Sequence, residues 1–397
     1  MKKILIIGAG FLQTFVIKKA KALGYYTLAV DANQDAEGFK YTDKSAAINI
    51  VDEKACLEFA KAEKIDGVLT AATDYGVLTA SYIAEKMGLP GLNYESAKLI
   101  KNKYLVRKCL FDNQVDDTKQ TYEVNADTDI EALSLVLNYP VMVKPCDGSG
   151  SRGASRVDSA GALKQACQYA MAGSITHRAE IESFIFGQEY GAESLVVNGV
   201  VHVLGIMRKW MTAPPYYAEL GHAIPCGLSK ELEMKVRGYI SRAIIALGVN
   251  HGSINMDLLI TDHGDVHIVD VVARMGGNLI GSHIIPRGTG IDYMGNTIRV
   301  AVGDGTDFRQ NWSPMPVATK LLALTPGKIL ELPDFNKIAV MCDVQIEHHL
   351  RVGDVINEYH TNLDGCGYVI ASGFDVADAI DRAEMARKLI DKQIVRQ

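Results

Sequence analysis

The segment from Asn255 to Arg274 constrains this chain more than any other. Two apolar runs, 255–260 (NMDLLI) and 266–272 (VHIVDVV), flank the turn sequence Thr261-Asp262-His263-Gly264-Asp265, which reads as a β-hairpin. With the turn centred on His263-Gly264, residue 262 pairs with 265, and the same register carries Asp257 directly opposite Asp270 on one face. Two carboxylates about 5 Å apart destabilise a sheet unless something neutralises them. A hard divalent cation does so with oxygen ligands, and Mg²⁺ takes one or two carboxylates together with substrate phosphates. Arg274 lies near the same end, able to hold a transferring phosphoryl group or a substrate carboxylate, and Gly276-Gly277 allows a backbone turn beside it. The bland alternative is a solvated hairpin whose acids face water, and the surrounding apolar residues argue against it.

The rest of the chain supplies room for a site around such a hairpin. At 397 residues with 48% hydrophobic content, it can bury substantial cores, and about 100–200 residues per domain suggests two to four units. A net charge of -6 argues against general nucleic-acid affinity, which needs clustered Lys and Arg, and favours small-molecule substrates. The N-terminal MKKILIIGAG has an apolar run of only about six residues leading into a glycine turn, so it reads as a first strand and not a signal peptide. No stretch approaches the roughly 20 apolar residues of a membrane span. The seven cysteines are scattered without a C-x-x-C pair, which points to the reducing cytoplasm.

Up to Gly91 short apolar strands alternate with helices: Lys3–Ile7, a helix over Thr14–Leu23, Thr27–Val30, a helix over Asp52–Glu63, Gly67–Leu69 and a helix over Tyr75–Met87. Such alternation predicts parallel β-α-β units. A linking helix over Ser96–Phe111, a Tyr139–Lys144 strand and a helix over Ala160–Ala172 follow. From Ala179 the pattern is strand-rich, interrupted by a helix over Lys230–Leu247. The final region, about 310–397, combines short strands with a closing helix over Val376–Lys392.

Three further segments carry chemistry. Gly8-Ala9-Gly10 after the first strand, with Asp31 ending the second, resembles a dinucleotide turn, but Gln13 stands where the third glycine belongs. A structural turn, or one near a different substrate, fits better. The Val141–Pro145 strand runs into Cys146-Asp147-Gly148-Ser149-Gly150-Ser151-Arg152-Gly153, whose bare amides and hydroxyls suit phosphate oxygens. No G-K-[ST] closes it, so it is not a Walker A loop. Lys144 and the earlier Lys103 can each place an ammonium over an α- or β-phosphate. Finally, Glu182-Ser183-Phe184-Ile185 and Gly187-Gln188-Glu189 connect two strands, where free backbone groups can pair with adenine and Glu189 can accept both ribose hydroxyls; alone, they read equally as a hairpin with surface acids.

With these pieces in this order the chain resembles the ATP-grasp superfamily over nearly its whole length. The resemblance implies a mixed α/β and α+β fold: a Rossmann-like pre-ATP-grasp domain over 1–93, an ATP-grasp domain over 94–308 with a lid subdomain at about 115–185, and a small C-terminal α+β subdomain over 309–397. It makes Lys103 and Lys144 the phosphate lysines and Gly148–Gly153, with Ser149, Gly150 and Ser151, the mobile lid loop. Glu182 and Ile185 become the adenine hinge, Glu189 the ribose acid, and Asp257 and Asp270 the metal acids. Within the superfamily, Ile268–Gly277 is similar to the amino-acid ligase branch, which includes bacterial dipeptide synthetases and carnosine synthase. Lys209 to Pro225, with Pro214, Glu219 and His222, resembles that branch's long substrate loop. Asp270 stands where Glu is usual, Val272 replaces a metal-binding asparagine, and Ser183 replaces a hinge lysine.

The resemblance implies ATP and Mg²⁺ (or Mn²⁺) as cofactors and transfer of the γ-phosphoryl group to a carboxylate, with Lys144 and Arg274 catalytic. An amine or ammonia then displaces phosphate from the acyl phosphate, giving an amide or peptide bond and ADP. Phosphoryl transfer needs positioning and charge neutralisation, so no nucleophilic triad is required. Lys209, Glu219, His222, Gly276 and Gly277 are substrate candidates, with His251 another for the amine's proton; His348-His349 reads as a surface pair. The implied partners are a small carboxylate and an amine, with neither nucleic acid nor membrane, and a homodimer is common in the family. Two alternatives stand beside this: a purine-pathway or carbamoyl-phosphate-like ligase, and a catalytically weak nucleotide-binding regulator.

Overall fold

The structure, a computed structural model, describes every residue except Asp117, Lys119, Ser149, Ser151 and Pro215. Its first unit is a parallel sheet in the order Lys44–Ala47, Tyr26–Asp31, Lys3–Ile7, Gly67–Leu69. The helices Gln13–Ala22, Glu53–Glu63 and Val77–Met87 follow its strands, as the alternation predicts. The apolar strands are buried on both faces: Ile4 and Ile6 join one core cluster, Leu5 and Ile7 another. That double burial is the reason the strand reads as an unbroken apolar run.

An eight-stranded antiparallel sheet dominates the rest, in the order Val266–Val272, Gly252–Ile260, Gln188–Val197, Val200–Met211, Glu219–Ile224, Val317–Leu321, Gly367–Ser372, Val344–His348. Helix Lys230–Ala246 buries Val236, Ile240, Ala243 and Ile244 in the cluster formed with the strands of this sheet. A separate four-stranded sheet, Thr121–Val124, Ala179–Ser183, Val141–Pro145, Ser155–Val157, packs on helix Ala160–Ala172. A small sheet joins Val355–Ile356, Gly327–Glu331 and Val395–Arg396, and helix Val376–Gln393 leads into the last of these strands. Among the described residues no helix is long and apolar enough to cross a membrane.

Three expectations need correction. The linking helix is two helices, Tyr94–Lys101 and Lys103–Asp112, because Asn102 adopts φ -110° and ψ 109° and caps the second by accepting from Leu105 N–H. Its side chain offers the orphan amides a partner, which an uninterrupted helix would not need.

The hairpin turn is not the two-residue one expected. Thr261 N–H donates to Asp265 O, Gly264 takes φ +78°, and Ile260 pairs with Val266. A bulge then leaves Val269 unpaired, and this extra residue brings Asp257 opposite Asp270.

The segment read as a long substrate loop, Lys209 to Pro225, is mostly strand: Lys209 pairs with His222 and Arg208 with Ala223, while Thr212 N–H donates to Ala218 O across the turn. Burial of consecutive residues from Gly221 to Ile224 leaves no polar–apolar alternation there to mark the strand.

Candidate active site

The edges of these sheets enclose a cavity of about 790 Å³. Its wall includes Lys103, Lys144, Gly148, Gly150, Glu182, Ile185, Glu189, Glu219, Asp257, Asp270, Arg274 and Gly277, so most of the separately predicted segments converge. Ser149 and Ser151 lie outside the described residues. Gly153 is absent from the wall; it takes φ +77° and packs against Pro145.

Met142, Ile185, Leu259 and Ile268, with Phe184 and Phe186, give the cavity wall an apolar part. The amides of Ser183 and Phe184 donate to Gln120 O and Pro140 O. Glu182 is not a free hinge group. Its carboxylate is buried between Lys144 Nζ at 2.6 Å and Arg107 Nη2 at 2.7 Å. Arg107, which the sequence reading missed, also binds Asp116 at 2.8 Å. Burial works against the Lys144 charge, but Glu182 and Glu180 outweigh it and raise its pKa. Lys144 also donates to the carbonyl of the bulged Val269 at 3.0 Å, so the bulge and Lys144 are one arrangement.

In the middle, the two hairpin acids face the cavity with a lysine each. Lys103 Nζ, delivered by the helix break at Asn102, pairs with Asp270; Lys209 Nζ lies 2.7 Å from Asp257 and 2.7 Å from Glu219. Repulsion between the acids is therefore relieved by ammonium groups, and the register alone does not demand a metal. Burial raises the Asp257 pKa against the pull of Lys209, whereas for Asp270 burial is overcome by Lys103 and Lys144 and the pKa falls. Burial, opposed by Lys209, pushes Glu189 up to about 7.

Among the described residues no three His, Cys, Asp or Glu side chains cluster as a metal cage. Two facing carboxylates open to a cavity nonetheless fit a Mg²⁺ or Mn²⁺ ion that completes its shell with phosphate oxygens and water.

The wall also includes Phe11, Leu12, Asp74, Arg274, Asn278, His349 and Tyr368. Asn278 donates to Glu219 Oε2 and accepts from Tyr368 Oη at 3.0 Å, which holds the acid toward the cavity. The Gly8-Ala9-Gly10 turn is anchored by Asp31 accepting from Ala9 N–H at 2.8 Å, and it delivers Phe11 and Leu12 to the wall. Gly276 N–H donates to the buried Glu193 at 2.8 Å, and a Cβ there would lie 2.2 Å from Glu193 Oε1, so only glycine fits.

Lys209, His222 and Gly276 stand behind the wall and not in it. His222 is fully buried 3.5 Å from Glu219 Oε2, and both its ring nitrogens lack hydrogen-bond partners among the described residues. His251 is structural: it accepts from Asn198 N–H and its Nε2 meets Val300 O. The presumed surface pair divides, since His348 stacks on Phe335 at 3.8 Å while His349 lines the cavity against Phe11. Asp74, also unforeseen, binds Arg274 Nη2 at 2.7 Å; a lone Asp after a three-residue strand carries no local signal of this.

Residues 137–282 match the ATP-grasp domain family, and residues 320–395 match L-amino acid ligase C-terminal domain 2. Among curated proteins, the uncharacterized protein y4rH of Sinorhizobium fredii is 25% identical over 316 residues, covering 78% of this chain and 64% of that protein. The ATP-grasp enzyme fsqD of Aspergillus fumigatus is 24% identical over 288 residues, 62% of this chain and 47% of its own. A formate-dependent phosphoribosylglycinamide formyltransferase of Bacillus velezensis is 26% identical over 186 residues, 46% of this chain and 48% of its own. The matched region thus spans between 47% and 64% of the length of these relatives. Among solved structures, an L-amino acid ligase from Bacillus licheniformis superimposes with a TM-score of 0.84 at 21% identity, covering 100% of this chain and 99% of that one. A phosphoribosylglycinamide synthetase from Anaerococcus prevotii does so with a TM-score of 0.79 at 22% identity and 100% coverage of both. The chain therefore contains an ATP-grasp domain over residues 137–282 and an L-amino acid ligase C-terminal domain 2 over residues 320–395, and it has the ATP-grasp fold.

Proposed function

We propose that this chain is an ATP-dependent carboxylate–amine ligase that releases ADP and phosphate. The observation that carries the reading is the set of paired charges that one cavity brings together. Apolar residues, Lys144 with Glu182, Lys103 with Asp270, and Arg274 with Asp74 share its wall, and Lys209 backs Asp257 from behind it.

Adenine fits the apolar part of the wall, with Ile185 offering the backbone edge that Ser183 and Phe184 have already spent within the sheet. Glu189 stands in the wall within reach of a ribose. Lys144 and Lys103 neutralise phosphate oxygens, and Gly148 and Gly150 let the backbone approach them. A magnesium ion held by Asp257 and Asp270 supplies charge neutralisation to the phosphates when bound. Arg274 holds the carboxylate or the phosphoryl group in transit.

A carboxylate oxygen attacks the γ-phosphorus, the bond to ADP breaks and an acyl phosphate forms. The amine nitrogen then attacks the acyl carbon, phosphate departs with the C–O bond electrons, and the nitrogen gives up a proton. Glu219 faces the end where the amine would lie and is the group positioned to orient it. The L-amino acid ligase C-terminal domain supports amino acids as the substrate class. The relatives named formate-dependent phosphoribosylglycinamide formyltransferases support a second reading, in which formate is joined to the glycine amine of a phosphoribosylglycinamide. ADP release measured with pooled amino acids, with other carboxylates and amines, and with formate plus phosphoribosylglycinamide, each with and without Mg²⁺, separates the two. Tight ATP binding without turnover in any pool overturns both in favour of a nucleotide-binding regulator.

A further inference from the structure

The loop that follows strand Gly67–Leu69 enters the cavity wall with four consecutive residues, Ala72, Thr73, Asp74 and Tyr75. It is held from both sides. Gln13 Nε2 donates to Ala71 O at 2.7 Å, and Thr70 Oγ1 donates to Ile7 O at 2.8 Å, which ties the loop to its own sheet. Ala71 also forms a parallel bridge to Met275, and Ala72 N–H donates to Met275 O at 3.1 Å. Ala72 takes φ +56°, a left-handed conformation that costs a non-glycine residue strain and persists only where its surroundings impose it. Gly76 must be glycine, because a Cβ would lie 2.6 Å from Thr70 Oγ1 and 2.9 Å from Ile7 Cγ2.

The two side chains at the tip of this rigid loop each hold an arginine from a different part of the molecule. One oxygen of Asp74 accepts from Arg274 Nε at 2.8 Å and from Nη2 at 2.7 Å, with both side chains largely buried. The Tyr75 hydroxyl accepts from Arg152 Nη2 at 2.6 Å, and Arg152 lies between Gly150 and Gly153 in the glycine-rich loop. Lys101 Nζ sits 5.1 Å from the centre of the Tyr75 ring on its other flank. An arginine carries long rotatable bonds, so fixing its guanidinium requires a partner with a rigid base. Here the base is the first unit of the chain, while both arginines belong to later elements.

We propose that Asp74 and Tyr75 are positioning residues for the ligase reaction, Asp74 orienting Arg274 toward the transferred group and Tyr75 docking the glycine-rich loop through Arg152. The inference rests on the reading of Arg274 given under the proposed function. Because the two residues are adjacent in a strained, doubly anchored loop, the first unit sets the arginine at the substrate end and the loop over the phosphates together.

The test uses the full chain and a single set of variants, Asp74→Asn, Tyr75→Phe, Arg274→Lys and Asp74→Asn with Arg274→Lys. Asp74→Asn is expected to lower kcat for ADP release by about tenfold or more, with ATP affinity within about twofold of wild type. Added to Arg274→Lys it should cost little more, since a residue acting through another is non-additive with it. Tyr75→Phe removes one hydroxyl and leaves the ring, so it folds; trypsin should cut after Arg152 several-fold faster in the ATP-bound variant than in ATP-bound wild type. Wild-type kcat in Asp74→Asn while Arg274→Lys is impaired overturns the Asp74 assignment and leaves the Arg274 reading standing. Wild-type kcat in both overturns the Arg274 reading as well. Unchanged cleavage in Tyr75→Phe overturns the docking role whatever the kinetics.

Discussion

Lys209 Nζ lies 2.7 Å from Asp257 and 2.7 Å from Glu219, so one buried ammonium joins two carboxylates that line the same cavity from different strands. Lys209 is only 2% exposed. Its charge survives there because Asp257, Glu219 and Glu189 outweigh the burial that opposes it. Removing it strands two carboxylates. Lys209→Met is expected to destabilise the fold by about 3–5 kcal/mol in urea unfolding, the usual cost of breaking a buried ion pair. Millimolar Mg²⁺ should restore more stability to this variant than to wild type. A variant as stable as wild type without Mg²⁺ would show that the pair carries no structural weight.

Asp257→Ala tests the other partner. Lys209 keeps Glu219, so the fold should persist by circular dichroism while ADP release falls to background. Turnover in this variant refutes the assignment of Asp257 to the metal and phosphates.

His222 makes a pH prediction whose sign follows from its burial. Burial lowers its pKa from the ordinary 6.5 to about 4, with Glu219 opposing and Lys209 assisting. The folded state therefore favours neutral His222, and its contribution is fully present above 6.5 and lost as pH falls toward 4, by up to about 3 kcal/mol. Glu189 and Glu193, both raised to about 7 mainly by burial, act in the opposite sense across this interval, since their contribution fades as pH rises through 7. The urea midpoint of wild type and His222→Phe, compared from pH 7.5 to 4.5, isolates the histidine. The variant should lose less stability toward acid, and parallel curves would refute the neutral buried histidine.

Asn102→Ala should cost about 1 kcal/mol, the usual loss for an N-cap side chain. It should also weaken ATP binding, because the cap sets the turn from which Lys103 reaches Asp270. Loss of stability with unchanged ATP affinity would separate the cap from the site.

Much of this arrangement was legible in the residues. The parallel first unit followed from buried strands alternating with helices, and the glycine-rich loop, Lys144 and the acidic hairpin were each visible as local patterns. Even so, Asp257 faces Asp270 through a bulge at Val269, which no turn rule anticipates, since a bulge is settled by the neighbouring strand and by Lys144 seeking the Val269 carbonyl. Glu182 reads as a hinge group because it adjoins the connection Ser183–Ile185 between two strands; its ion pairs with Arg107 and Lys144 come from other elements.

The sequence by itself therefore determined the alternating strands and helices of the first unit and which loop suits phosphate, because backbone periodicity and glycine are local properties. Only the tertiary structure decided how the hairpin acids are neutralised. Lys103, Lys209 and Asp74 are ordinary residues in their own segments, and each acquires its role from a charge that the fold places within hydrogen-bonding distance. Coulomb energy in a buried site depends on separation in space, to which separation along the chain is no guide.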